Sequence, residues 1–157
     1  MGPFSYCSRL TSISLPASVT SIGSGPFDVC TSLTCITVDL NNKFYASRDG
    51  VLYNKTGTTL IQYPAGRKET RYFIPTNVTG IGEGAFSGCS SLTSITLPAS
   101  VTSIRNSAFF GCSSLTSISL PSNVNLADDS FGYDRALVNT ITTTAERPGY
   151  IPGIMGS

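Results

Sequence analysis

A 23-residue period governs this chain, and it restricts the fold more than any other feature. Phe4 and Phe27 are one period apart, as are Phe86 and Phe109. Cys7, Cys30, Cys89 and Cys112 share a phase, and so do Leu10, Leu33, Leu92 and Leu115. Ile13, Ile36, Ile95 and Ile118 follow, then Leu15, Val38, Leu97 and Leu120, with Pro16, Pro98 and Pro121 behind them. A second apolar pair closes each unit: Val19 with Ile22, Val78 with Ile81, Val101 with Ile104. The phase is kept across residues 39–73 if that segment holds one unit plus 13 extra residues. Phe131 arrives one residue early, and Thr140 and Thr142 replace apolar positions, so the last unit is degenerate.

Within a unit the pattern is that of a strand. In Leu92–Leu97, Ile95 and Leu97 point one way while Ser94 and Thr96 point the other. Pro98 has no N–H to donate and ends the strand. Val101-Thr102-Ser103-Ile104 reads as a second short strand, and Ala85–Cys89 is too short for more than one helical or 3-10 turn. A single unit cannot seal its own apolar edges, so units must stack. The expectation is a β-rich, right-handed slab, a solenoid with parallel strands near 10–15, 33–38, 92–97 and 115–120. At ~4.8 Å per coil it is only about 25–30 Å long. The solenoid spans 1–144, with the insert 39–73 and the degenerate coil 122–144 inside it. Residues 145–157, rich in Pro and Gly, read as an extended tail.

Ala85-Phe86-Ser87-Gly88-Cys89-Ser90-Ser91-Leu92-Thr93-Ser94-Ile95-Thr96-Leu97-Pro98, with the same pattern over 4–38 and 72–131, resembles the BspA-like leucine-rich repeats. The stretch Tyr45–Asn54 followed by Thr59–Pro64 is similar to a unit that recurs in those proteins. The resemblance implies a leucine-rich-repeat fold, a cell-surface setting and adhesion to host or matrix proteins. It transfers no binding residue. Residues 132–157 depart from the pattern, as does Cys35, which stands where the other coils have Ser.

Composition narrows the function classes. Only 12% of residues are charged and the net charge is +1, which is no nucleic-acid footprint. His is absent, which removes Ser-His-Asp and Cys-His catalysis and most zinc sites. No apolar run is long enough for a transmembrane helix, and no signal peptide is visible. No catalytic, cofactor or metal site is expected. Cysteines 23 residues apart offer no local metal-ligand pair, and stacking sets their Cβ vectors parallel, which suits no disulfide. Cys7, Cys30, Cys89 and Cys112 are expected to be buried thiols, and Cys35 an outward-facing one. Gly80-Ile81-Gly82-Glu83-Gly84 lacks the spacing of a phosphate loop. Asp128, Asp129 and Asp134 have no second set of ligands for calcium.

Two regions can carry recognition. The first is the outward rows Ser12/Cys35/Ser94/Ser117 and Ser14/Thr37/Thr96/Ser119, within a chain of 23 Ser and 19 Thr. They form either a binding face centred on Ser94, Thr96, Ser117 and Ser119 or merely a soluble, β-compatible surface. The second is the insert, with six Lys/Arg against three acids and four tyrosines. Its hairpin, Val51–Tyr53 and Leu60–Tyr63 around 54–58, is expected to project from the slab and interrupt the stack. Arg67, Lys68, Arg71 and Tyr45 are its candidate anchors. Tyr53 and Tyr63 are assigned to the hairpin's own core. Asn54 and Asn77 head glycosylation sequons.

Met1–Phe4 starts mid-unit, so the chain reads as a fragment of a longer repeat protein, or as one whose first edge, around Leu10 and Ile13, a partner covers. The function expected is a non-enzymatic protein-interaction module of an adhesion-type repeat protein, with possible edge-to-edge self-association. The alternative is a subunit docked into a larger assembly by that edge and the tail.

Overall fold

Ser and Thr alternating with β-branched or leucine side chains make short strands, because alternate residues can then bury and face water. The computed structural model describes residues 7–122, 124–127 and 142–143. In chain order the strands are β1 (Ser12–Leu15), β2 (Cys35–Val38), β3 (Tyr45–Arg48), β4 (Val51–Asn54), β5 (Thr59–Gln62) and β6 (Arg71–Phe73). Then come β7 (Gly80–Ile81), β8 (Ser94–Thr96), β9 (Ser103–Ile104), β10 (Ser117–Leu120), β11 (Asn125–Leu126) and β12 (Thr142–Thr143). They build a β-solenoid of about five turns.

The repeat strands pair in parallel and in phase. Ile13 lies opposite Ile36 in the two-stranded β1–β2 sheet, and Ile95 lies opposite Ile118 in the sheet β12-β10-β8-β6. Strands begin about two residues later than the periodicity suggests. The Leu row ends a turn instead of opening a strand: Leu33 N–H donates to Cys30 O and Leu115 N–H to Cys112 O. The turns carry separated i→i+3 hydrogen bonds, such as Ser87 to Gly84 and Cys89 to Phe86. No helical or 3-10 segment forms among the described residues. Val101–Ile104 does supply a second strand, β9, which joins β11, β7 and β5 in the second sheet.

The insert corrects one expectation. The β4–β5 hairpin exists, but β3 adds an antiparallel third strand, and β5 pairs in parallel with β7. The meander is thereby woven into the second sheet and does not project. Val51, Leu52, Tyr53 and Leu60 are wholly buried. The stack is nevertheless interrupted, since β2 and β6 belong to different sheets. The tip of the β3–β4 turn fills the break: Ile36 N–H donates to Gly50 O at 2.9 Å.

Three apolar residues in a row let β4 serve both of its faces. Leu52 packs with Leu15, Ile22, Phe27, Cys30, Leu33 and Ile36. Val51 and Tyr53 pack instead with the core that runs from Leu60 to Val124. The meander is therefore a partition between two cores. Asn42, buried to 1% exposure, pins its entrance. Its Nδ2 donates to Pro16 O and Val19 O, and its Oδ1 accepts from Phe44 N–H and Tyr45 N–H. The expectations for Met1–Phe4, Asp128, Asp129, Asp134 and the 145–157 tail lie outside the described residues.

Candidate functional site

Parallel register assembles the outward face. Arg71, Ser94 and Ser117 stand side by side, as do Phe73, Thr96 and Ser119. The alternate residues Tyr72, Ile95 and Ile118 turn to the core. Phe73, at 69% exposed, is the large apolar group of this face. The expectation from sequence left it out, although its position 23 residues before Thr96 places it in the outward row. Not every hydroxyl of the stack is available. Thr34, Thr93 and Thr116 Oγ1 each donate to the carbonyl 23 residues earlier, tying coil to coil at the strand entrance. The hydroxyls of Ser94, Thr96, Ser117 and Ser119 make no such bond among the described residues. In the β1–β2 sheet, Ser14 and Thr37 hydroxyls pair with each other at 2.8 Å.

The basic residues of the insert divide. Arg67 is a clamp: its Nε donates to Thr34 O at 3.0 Å, its Nη2 to Asp49 O, and its guanidinium lies 5.6 Å from the Tyr63 ring centre. Lys68 and Arg71 are exposed, and Arg71 belongs to the sheet face. Tyr45 is half-buried against the N-terminal core, away from Ser94 and its neighbours. The fold thus joins Arg71 to Ser94, Thr96, Ser117 and Ser119, and gives Arg67 and Tyr45 other surroundings. Tyr53 and Tyr63 lie in the large core, not in a private hairpin core. Tyr53 and Tyr72 hydroxyls are 2.6 Å apart, and Tyr63 stacks on Phe86 at 5.5 Å. Burial pushes the Tyr63 hydroxyl up to about 12.

The cysteines are all thiols. Cys30, Cys89 and Cys112 are buried. Cys7 is only half-buried, being in the first coil, where the described chain stacks on one side. The ladder has a use that spacing did not reveal. Cys112 Sγ donates to Phe86 O and Cys89 Sγ to Tyr63 O, so these two thiols bond the coil before theirs, whereas Cys30 Sγ donates to Asp28 O in its own turn. Burial holds the Cys89 thiol well above its ordinary range and raises that of Cys30, which keeps both protonated. Cys35 is half-buried under the meander tip. A Cβ on Gly50 would sit 3.2 Å from its sulfur, so the small side chains at 35 and 50 let the turn close over β2. No group of three His, Cys, Asp or Glu converges among the described residues. Asn54 Oδ1 accepts from Thr59 N–H and is half-buried, whereas Asn77 is exposed.

A three-sheet solenoid with coil-to-coil hydroxyl ladders and, among the described residues, no converging metal-ligand cluster defines a leucine-rich-repeat scaffold. The chain matches the BspA type leucine rich repeat region family over residues 2–69 and 66–146, and it belongs to that family. Among solved structures it is similar to a leucine-rich repeat protein from Eubacterium ventriosum, with 32% identity and a TM-score of 0.76 over 87% of this chain and 37% of that one. The pneumococcal vaccine antigen PcpA matches with 28% identity and a TM-score of 0.66, over 74% of this chain and 35% of that one. A leucine rich cell surface protein from Faecalibacterium prausnitzii matches with 28% identity and a TM-score of 0.56, over 88% and 49%. The chain therefore spans less than half the length of each of these structures. No curated protein matches it. The family is generally a non-enzymatic interaction scaffold, and its members are typically surface-associated.

Proposed function

We propose that this chain is a protein-binding segment of an adhesion-type surface protein, and that it binds through the outward face of β6, β8 and β10. The exposure of Phe73 beside Arg71 carries this reading. An exposed aromatic next to a cation, flanked by four hydroxyls with no bond to the stack among the described residues, is the composition of an interface anchor with a polar surround. The sheet beneath is rigid and already formed, so little ordering is lost on binding. The cell-surface setting of the F. prausnitzii relative agrees with it. The test is a photo-crosslinking residue at position 73, offered purified host matrix proteins. A discrete adduct is expected, and Arg71→Glu should abolish it while circular dichroism stays unchanged. Equal crosslinking from position 77, at the Pro75–Val78 turn, would show that the face has no privilege.

A further inference from the structure

The second sheet carries a groove that the protein-binding reading does not use. Its volume is about 800 Å³, and it runs over the outward side of β5, β9 and β11 and over Gly82 and Glu83 after β7, with the Ile22–Gly25 loop as a wall. That volume falls within the range of small-ligand sites. We propose that this groove binds a neutral oligosaccharide.

Four observations point to that ligand class. Among the described lining residues charge is balanced: Glu83 and Arg105 both line the groove, so they favour neither an anion nor a cation. The remaining polar lining is amide and hydroxyl: Ser103 and Asn125 stand side by side on neighbouring coils, and Asn106 lines the same groove. Such groups both donate and accept, as the vicinal hydroxyls of a sugar require. Tyr45 lines the groove and offers a ring against which the C–H face of a sugar can lie. The floor is kept low by Gly82, where a Cβ would stand 3.2 Å from Leu60 O. An extended peptide fits less well. β5, β7 and β9 are each flanked by strands on both sides, so among the described residues the one open edge of the floor is that of β11, only two residues long.

The experiment is titration of the intact chain with cellotetraose, maltotetraose and N-acetylchitotetraose, followed by amide NMR, with an uncharged octapeptide as the competing class. At least one tetrasaccharide is expected to bind and to shift the amides of residues 82–83, 103–106 and 125. Gly82→Val, which fills the floor, and Asn106→Ala, which removes an exposed amide, should each weaken it at least tenfold. Arg71→Glu, on the other sheet, should leave it unchanged. The proposal is overturned if no tetrasaccharide binds, if the octapeptide binds there instead, or if binding survives both groove variants. Failure of the Arg71 face to capture protein would leave this result untouched.

Discussion

The first two coils and the coils after the meander are written in the same repeat, yet they are built to different standards. Ile36, Ile95 and Ile118 are fully buried, whereas Ile13 is only half-buried. Cys7, Leu10, Val19 and Val38 are likewise half-buried around the small N-terminal core. After the meander, Tyr63, Phe86 and Phe109 stack ring on ring at 5.5 and 5.4 Å, and two sheets close the core. Among the described residues the first two coils have no second-sheet strand of their own; Asn42 and the meander stand in for it. The difference shows how much of a repeat unit's burial is supplied by its neighbours.

The largest test of that contrast is truncation on either side of the partition. Phe86→Ala should cost about 3–5 kcal/mol and Leu52→Ala about 2–5 kcal/mol. The useful reading is where the loss falls. Hydrogen exchange should show Leu52→Ala exposing the β1–β2 amides while β8 and β10 keep their protection, and Phe86→Ala releasing β8 and β10. Equal loss in both regions after either change would mean the partition does not separate two cooperative units.

Much of the strand pattern was legible in the sequence. The phase of Ile13, Ile36, Ile95 and Ile118 marks the strands to within about two residues. The Val51–Tyr53 and Leu60–Tyr63 runs mark the β4–β5 hairpin. Three consecutive apolar residues in Val51-Leu52-Tyr53 are also what a strand buried on both faces requires, so the partition had a signal that was read as a projecting hairpin. β3 had almost none, because Tyr45-Ala46-Ser47-Arg48 scarcely alternates. Arg67 looked like a binding cation, and no pattern in one dimension can show that Thr34 O and Asp49 O take its donors. Phe73 was the readable omission, since the period alone puts it beside Thr96.

The seam where the two regions touch gives a second test, of smaller effect. The turn of coil two rests directly on Gly84–Gly88, and Ser87 Oγ donates to Asp28 Oδ1 at 3.0 Å. Burial, with Glu83 adding to it, raises the Asp28 carboxyl above its usual value, although the Ser87 bond opposes this. A raised folded value means that folding favours the protonated acid. Its stabilising effect is complete below the unfolded value near 3.8 and is lost as pH rises through the folded one. Asp28→Asn keeps an acceptor for Ser87 and removes the charge, so it should raise the thermal midpoint at pH 7. The advantage should shrink as pH falls toward 4. A midpoint lowered at pH 7 would mean the carboxylate itself holds the seam.

The smallest effect lies in one backbone position that the two regions fill differently. The residue before the turn cysteine is left-handed in each described coil: Val29 at φ 56°, Gly88 at 75° and Gly111 at 75°. Glycine adopts this at no steric cost, whereas a β-branched residue there is strained by about 1–3 kcal/mol. Val29→Gly relieves that strain but frees the unfolded chain by roughly 0.5–1 kcal/mol and gives up a half-buried side chain. The balance favours the substitution by up to about 1 kcal/mol, a rise of roughly 2–4 °C in the midpoint. The reciprocal change must go the other way. A Cβ at Gly88 would meet Val29 Cα at 3.2 Å in an already left-handed backbone, so Gly88→Val should destabilise. Doing both in one chain removes the side-chain part of the crowding, the contacts to Val29 Cγ1 and Cβ at 3.5 and 3.7 Å, and keeps the contact to Cα at 3.2 Å, so the loss that remains is the left-handed cost plus that backbone contact. If Val29→Gly instead lowers the midpoint, the valine's packing across the seam outweighs its strain, and coil two is fastened to coil four by that side chain.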